Sequence, residues 1–343
     1  MSFGATAARG RLLLLLVVVV FTLAAAGVYG VSSFQQARSS QEAASMVETA
    51  TADALPAEPF IIFQNTAPGQ GNGQAAFVDL ADPSGIRSLT GLMCDRVYGT
   101  RQLVSCLATR NEVPTRFEAV AYSSSLQPQQ SWVLAGSPSR TRVSPDGSLL
   151  ASTVFVTGHS YTSAWFSTET IIRGTDGTDY GNLEQFALLS GGNRIAATDG
   201  NIWGVTFVPG HPTEFYATAS SGESVWLVKG NLTEQTLTVV ASGVECPSIS
   251  PDGKRIAFKK SATGKAVGMR HPAVLDIATG SVTVLTEQRN VDDQIEWLDN
   301  STVLYGMPRD EASLDSDIWK LSIEAGSAPE LFIQHAWSPA VVR

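Results

Sequence analysis

Acidic side chains form the densest cluster of potential chemistry in this 343-residue chain. Asp292, Asp293 and Glu296 fall within five positions, and Asp310, Glu311, Asp315 and Asp317 follow shortly after. Oxygen ligands of this kind suit a hard cation such as Ca2+, which makes Asp292, Asp293 and Glu296 the candidate metal ligands. Their spacing matches no EF-hand loop, and a solvated acidic rim is the preferred reading. The four histidines, His159, His211, His271 and His335, stand far apart and outside any zinc-binding spacing. No Gly-x-Ser-x-Gly elbow occurs, so the sequence offers no catalytic residue and no cofactor set. Cys94 and Cys106 flank a hairpin whose strands could bring them opposite each other as a disulfide in an oxidising compartment. The alternative is a small apolar slot, because Cys94 aligns with the lone Cys246 in the repeat described below.

Charge and hydropathy give an address. The net charge is −9 and no basic stretch exists to neutralise phosphates, which excludes nucleic acid as a partner. Residues 1–11 carry Arg9 and Arg11 without an acid, and the apolar run from Leu12 to Val31 follows, with Arg38 as the next charge. Twenty residues of helix cover about 30 Å, the thickness of a bilayer core. Arginines before the run and none directly after it predict a cytoplasmic N-terminus and an extracytoplasmic remainder. A cleaved signal peptide is the competing reading, but its apolar region is usually shorter. Residues 32–59, rich in Ala, Ser, Gln and Glu and ending at Pro56 and Pro59, read as a stalk.

From residue 60 onward, short alternating runs separated by Gly, Pro, Asp and Ser predict an all-β domain. RVSPDGSLLAS at 142–152 recurs as SISPDGKRIAF at 248–258. Weaker copies appear at 206–218 and 296–306, a truncated one at 336–342, and the most degenerate at 96–108. The apolar residue before each turn serves as a landmark: Val97, Val143, Phe207, Ile249, Trp297 and Trp337. Spacings of 46, 64, 42, 48 and 40 residues are those of four-stranded propeller blades. Trp337 leaves no chain to complete a blade, whereas 61–65, 75–80 and 86–90 supply three strands without a landmark. The C-terminal strand is therefore expected to join them and close a six-bladed ring over residues 60–343.

Within each Ser-Pro-Asp-Gly turn, Pro fixes φ, Asp caps the local backbone and Gly accepts positive φ. Ser144, Pro145, Asp146 and Gly147 are accordingly read as architectural, as are Ser250, Pro251, Asp252 and Gly253.

The units SPDGKRIAF at 250–258 and AVLDIATGSVTVLT at 273–286 resemble the repeats of the bacterial TolB-type six-bladed propellers. There a turn of this type leads to a strand ending in Asp, a Thr-Gly turn and a Leu-Thr strand. The second and fourth units depart, with Gly99-Thr100 and Gly210-His211-Pro212 in place of the turn. The resemblance implies an extracytoplasmic protein-interaction platform, usually without catalysis. The expected partner is an envelope protein or cell-wall component, with the membrane reached through the N-terminal helix. A metal-dependent hydrolase of the six-bladed lactonase type is the alternative.

The third unit is some 20 residues longer than its neighbours, and its surplus is expected between Gly158 and Asn182. Tyr161, Trp165 and Phe166 in that stretch are the candidate partner-binding aromatics. His335, two residues before Trp337, is expected to face the central channel and joins them as a candidate contact.

Overall fold

A computed structural model describes residues 14–32, 47–156, 167–261, 268–310 and 314–343. The helix and the propeller fall into separate compact units. Helix α1, Leu14–Ser32, is 19 residues long with mean hydropathy 2.5. At 1.5 Å per residue it covers about 28 Å, enough to cross a bilayer core. The hydroxyl of Thr22 donates back to the carbonyls of Val18 and Val19, each at 2.9 Å, so this polar hydrogen is satisfied within the helix.

The second unit is a ring of six blades, each built on four antiparallel strands. Blade one holds β1 (Thr49–Thr51), β2 (Phe60–Asn65), β3 (Gln74–Asp79) and β4 (Arg87–Met93). Blade two runs through β5 (Arg96–Gly99), β6 (Leu103–Arg110), β7 (Arg116–Ser123) and β8 (Pro128–Leu134). Blade three comprises β9 (Ser137–Val143), β10 (Leu149–Val156), β11 (Ser167–Gly174) and β12 (Asp179–Asn182). A 3-10 turn (Leu183–Gln185), β13 (Ala187–Ser190) and β14 (Asn193–Arg194) then precede blade four. Blade four itself is β15 (Asn201–Phe207), β16 (Glu214–Ser221), β17 (Ser224–Asn231) and β18 (Thr236–Ser242). Blade five follows as β19 (Glu245–Ile249), β20 (Arg255–Ser261), β21 (Arg270–Asp276) and β22 (Val282–Val284). Blade six is β23 (Glu296–Trp297), β24 (Thr302–Pro308), β25 (Ser316–Ser322) and β26 (Glu330–Ile333). The last strand, β27 (Ala336–Val342), pairs antiparallel with β2 and closes the ring.

The six landmarks lie one per blade, each on the innermost strand: β5, β9, β15, β19, β23 and β27. Period 2 explains how blades stack. On β2, Phe60 and Ile62 pack toward blade two, while Ile61 and Phe63 pack toward blade six. Both faces are buried, so Phe60 to Phe63 read as an unbroken apolar run. Each such side chain contributes about 1.5–3 kcal/mol on burial.

The repeat turns are built as their sequence requires. Ser144 Oγ donates to Asp146 Oδ1 at 2.5 Å, and Asp146 Oδ1 accepts from Ser148 N at 3.0 Å. Ser250, Asp252 and Lys254 repeat the pattern at 2.5 and 3.1 Å. Gly147 and Gly253 sit at φ +73° and +70°, in the left-handed region. Both aspartates are held below the usual carboxylate range, with burial opposing and the serine hydroxyl and following backbone N–H outweighing it.

Two expectations need correction. The stalk does not extend to residue 59: Thr49–Thr51 pairs in parallel with Arg87–Leu89, and Leu55 N donates to Ser124 O at 2.7 Å. Polar, Ala-rich composition hid this because an outer edge strand needs no apolar face. The surplus of the third unit is not confined to its expected position: residues 167–182 form the ordinary strands β11 and β12, and the rest of the expected stretch lies outside the described residues. Among the described residues the 3-10 turn, β13 and β14 are added elements, and β13 lies parallel to β18 on the outer edge of blade four. A landmark spacing records an insertion's length, not its place.

Candidate functional site

Alternation on the innermost strands points every second side chain at the ring axis, and these residues meet there. Arg142 on β9 pairs with Glu296 on β23, which joins blades three and six on opposite sides of the ring. The side chains are only 4% and 6% exposed. Arg142 Nη2 also donates to Ser248 Oγ at 3.0 Å and Ile295 O at 2.9 Å. Its guanidinium stacks 4.6 Å from the Tyr98 ring centroid, and Tyr98 Oη donates to Glu296 Oε1 at 3.3 Å. Four blades therefore contribute to one buried polar cluster lying across the bore. Burial alone would depress Arg142; the Glu296 charge outweighs it and holds the guanidinium above its ordinary value. Tyr98 is pushed up to about 12, first by burial and then by the adjacent carboxylate.

A second layer surrounds the start of β23. Arg96 Nη1 meets Asp293 Oδ1 at 3.2 Å, and Asp293 Oδ2 accepts from Gly306 N at 3.1 Å and Ser338 N at 3.2 Å. Gly306 is required here: a Cβ would lie 2.4 Å from the Trp337 ring and 2.7 Å from that carboxylate oxygen. Lys259 Nζ, itself buried, donates to Asp292 Oδ1 at 2.9 Å and Asp292 O at 3.0 Å. Arg140 Nη2 donates to the same carbonyl at 2.9 Å. Burial, then the like charge of Arg140, lowers Arg96 to about 10. Asp292 is held below the carboxylate range, because Lys259 and Arg140 outweigh the opposing effect of burial.

The three candidate metal ligands are thus brought close to the axis, but each faces a cation: Asp292 meets Lys259, Asp293 meets Arg96, and Glu296 meets Arg142. Their charge is already neutralised, which is the physical reason they do not converge on a common point as ligands would. Among the described residues, no three His, Cys, Asp or Glu side chains are grouped to hold a metal ion.

His335 heads β27, where its ring is engaged on both sides. Nδ1 lies 2.6 Å from Asp315 Oδ2, and Arg309 Nη1 lies 2.9 Å from Nε2. Its backbone N donates to Asp317 Oδ1 at 2.9 Å, and its carbonyl accepts from Arg87 Nη1 at 2.8 Å. Arg87, lowered to about 10 by burial with Asp315 opposing, also donates to Asn65 Oδ1 at 2.5 Å. His335, Asp315 and Asp317 therefore stitch the seam where blades six and one meet. Of the other histidines, His271 Nδ1 lies 2.7 Å from Glu287 O, and exposed His211 lies 3.5 Å from Glu214.

Cys94 and Cys106 form a disulfide with Cα atoms 5.3 Å apart, tying the entry of blade two to β6. Cys246 remains free and buried. Tyr161, Trp165 and Phe166 lie outside the described residues, as do His159 and Glu311.

Sequence reasoning missed Arg96, Arg140, Arg142 and Lys259. A signal existed for two of them: Arg96 and Arg142 each stand one position before a landmark, as do Ser248 and Glu296. Those positions face the axis whenever the landmark faces a neighbouring blade.

No protein-family model matches the sequence, and no curated protein does. Solved structures do resemble the fold. TolB from Acinetobacter baumannii superposes with a TM-score of 0.58 at 15% identity, over 84% of this chain and 68% of that one. Putative TolB from Agrobacterium tumefaciens gives 0.47 at 12% identity, over 82% and 92% of the two chains. A puromycin-hydrolysing peptidase from Mycobacterium tuberculosis gives 0.48 at 13% identity, over 82% of this chain and 44% of that one. The architecture is that of a six-bladed propeller. The A. baumannii superposition makes it a TolB-like one.

Proposed function

We infer that the protein is a membrane-anchored, extracytoplasmic scaffold whose propeller binds an envelope protein or cell-wall component. The observation that carries this reading is the Arg142–Glu296 pair across the axis, with Asp292 and Asp293 committed to Lys259 and Arg96. A metal-dependent hydrolase of the lactonase type needs carboxylates free to converge on a cation, and here every candidate carboxylate is matched to a basic side chain. The apolar helix α1 supplies the anchor of this reading, with the propeller on the side opposite Arg9 and Arg11. Aromatic Tyr161, Trp165 and Phe166 are the proposed contact residues.

Full-length protein, cross-linked in intact cells and purified in mild detergent, is expected to carry an envelope component in fixed ratio. Replacing Tyr161, Trp165 and Phe166 by Ala should lower that yield at least tenfold, the loss of a small aromatic hot spot. Recovery of no envelope component refutes the scaffold reading. Undiminished recovery with the triple variant refutes the proposed contact surface.

A further inference from the structure

Glu184, half-buried, stands apart from the buried acids. It lies in the 3-10 turn after blade three, whose start is capped by Asn182 Oδ1 accepting from Glu184 N at 2.9 Å. Its carboxylate is held by uncharged donors: Oε1 accepts from Thr168 Oγ1 at 3.0 Å and Ile202 N at 3.2 Å, and Oε2 from Thr170 N at 3.1 Å. One donor on Oε2 leaves that oxygen with further acceptor capacity. Among the described residues no cation pairs with it, whereas Glu287, Glu296 and Asp293 each have an arginine.

The charges around it are accounted for. Glu169 and Arg173 occupy the other face of β11, where Arg173 pairs with Asp179 and stacks over Trp132. Asp199 accepts from Ser221 Oγ and Gly222 N. β15 meets Glu184 with the Ile202 N–H. Burial, only partly offset by these donors, raises the Glu184 carboxyl to about 7.

Glu184 also lines a cavity of about 360 Å3, walled by Leu183, Phe186, Ile195, Ile202 and Leu237. The inserted segment between blades three and four forms one side of it. Arg194, the one cation of the lining, is exposed on the rim, where solvent screens it. A cavity that sets these apolar walls beside one carboxylate without a counter-charge, with Thr198 and Ser220 also in the lining, is complementary to an apolar body bearing a single positive charge.

We propose that this cavity is a binding site for small molecules that carry a protonated amine on an apolar body, with the ammonium seated against Glu184. The site is separate from the scaffold reading and from the axial ion pairs. Because only the ionised carboxylate attracts an ammonium, binding must release a proton from Glu184 at acidic pH.

The probes are isoamylamine and its neutral analogue isoamyl alcohol, followed by ligand-observed NMR on the full-length protein in a nonionic detergent. The amine stays protonated throughout the neutral range. Its affinity should fall about tenfold for each pH unit below 7 and level off above, while that of the alcohol stays flat. Glu184→Gln should abolish the preference for the amine. Ala196→Trp, on the exposed cavity wall and outside the carboxylate's hydrogen bonds, should block both probes. If Glu184→Gln fails to fold, the wild-type pH profile and Ala196→Trp still decide. Parallel pH profiles for the two probes, no binding of either, or wild-type binding by Ala196→Trp overturns the proposal.

Discussion

Replacing Glu296 by Gln removes one charge of the pair that crosses the propeller axis and leaves Arg142 charged in a site only 4% exposed. Loss of one partner from a buried ion pair typically costs about 3–5 kcal/mol, because the remaining charge has lost its solvation without compensation. Arg142 would keep Ser248 Oγ, Ile295 O and the Tyr98 ring, which places this case near the lower bound, about 3 kcal/mol. Replacing both partners, as Arg142→Met with Glu296→Leu, removes both charges and should leave stability within about 1 kcal/mol of wild type. The assay is urea denaturation of the full chain in nonionic detergent, read by tryptophan fluorescence. Trp297 is a local reporter, since it adjoins Glu296 and its Nε1 donates to Ser248 O at 2.8 Å. Additive losses in the double variant, or a cost below about 1 kcal/mol for Glu296→Gln, would refute the claim that this pair is buried and coupled.

The disulfide closes a loop with a sequence separation of 12, so replacing both Cys94 and Cys106 by Ser should cost about 3 kcal/mol, measured by the same denaturation under non-reducing conditions. Glu184 makes stability depend on pH with a definite sign. Its folded value of about 7 exceeds the ordinary 4.5, so the native state binds the proton more tightly than the unfolded chain does. The resulting stabilisation is complete below about 4.5 and lost as pH rises through 7, roughly 2–3 kcal/mol between pH 5 and pH 8. Comparing urea midpoints of wild type and Glu184→Gln at these two pH values checks it; equal slopes with pH would show that Glu184 is not the responsible group.

The ring was legible in the sequence because its turns are local. A Ser-Pro-Asp-Gly segment needs only its own five or six residues to fold, so the turn leaves the same trace wherever it recurs, and spacing then counts the blades. Closure followed from the strands at 61–65, 75–80 and 86–90, which have no landmark before them. The axial cluster was not legible, since Arg142 and Glu296 are 154 positions apart and neither residue type reveals its partner. The acidic residues were visible while their cations were not, which made Asp292, Asp293 and Glu296 look like candidate ligands. Glu184 carries no signal either: its environment comes from Thr168, Thr170 and Ile202 on two different blades.

Pairing of β27 with β2 sets an order of events as well as a shape. Phe60 meets Val342 in that register, so the first full strand of the ring finds its partner only when nearly the whole propeller has emerged. Contacts this distant in sequence form slowly, because a long loop must close before any pairing rewards it. Until then β2 offers an unpaired edge whose first four residues, Phe60 to Phe63, are apolar, the kind of surface that captures a neighbouring chain. A protein delivered across a membrane from its N-terminus would spend its transit in that state. Blades two to six can assemble in sequence, but blade one waits for the end of the chain, and crowding at the exit site becomes a determinant of yield.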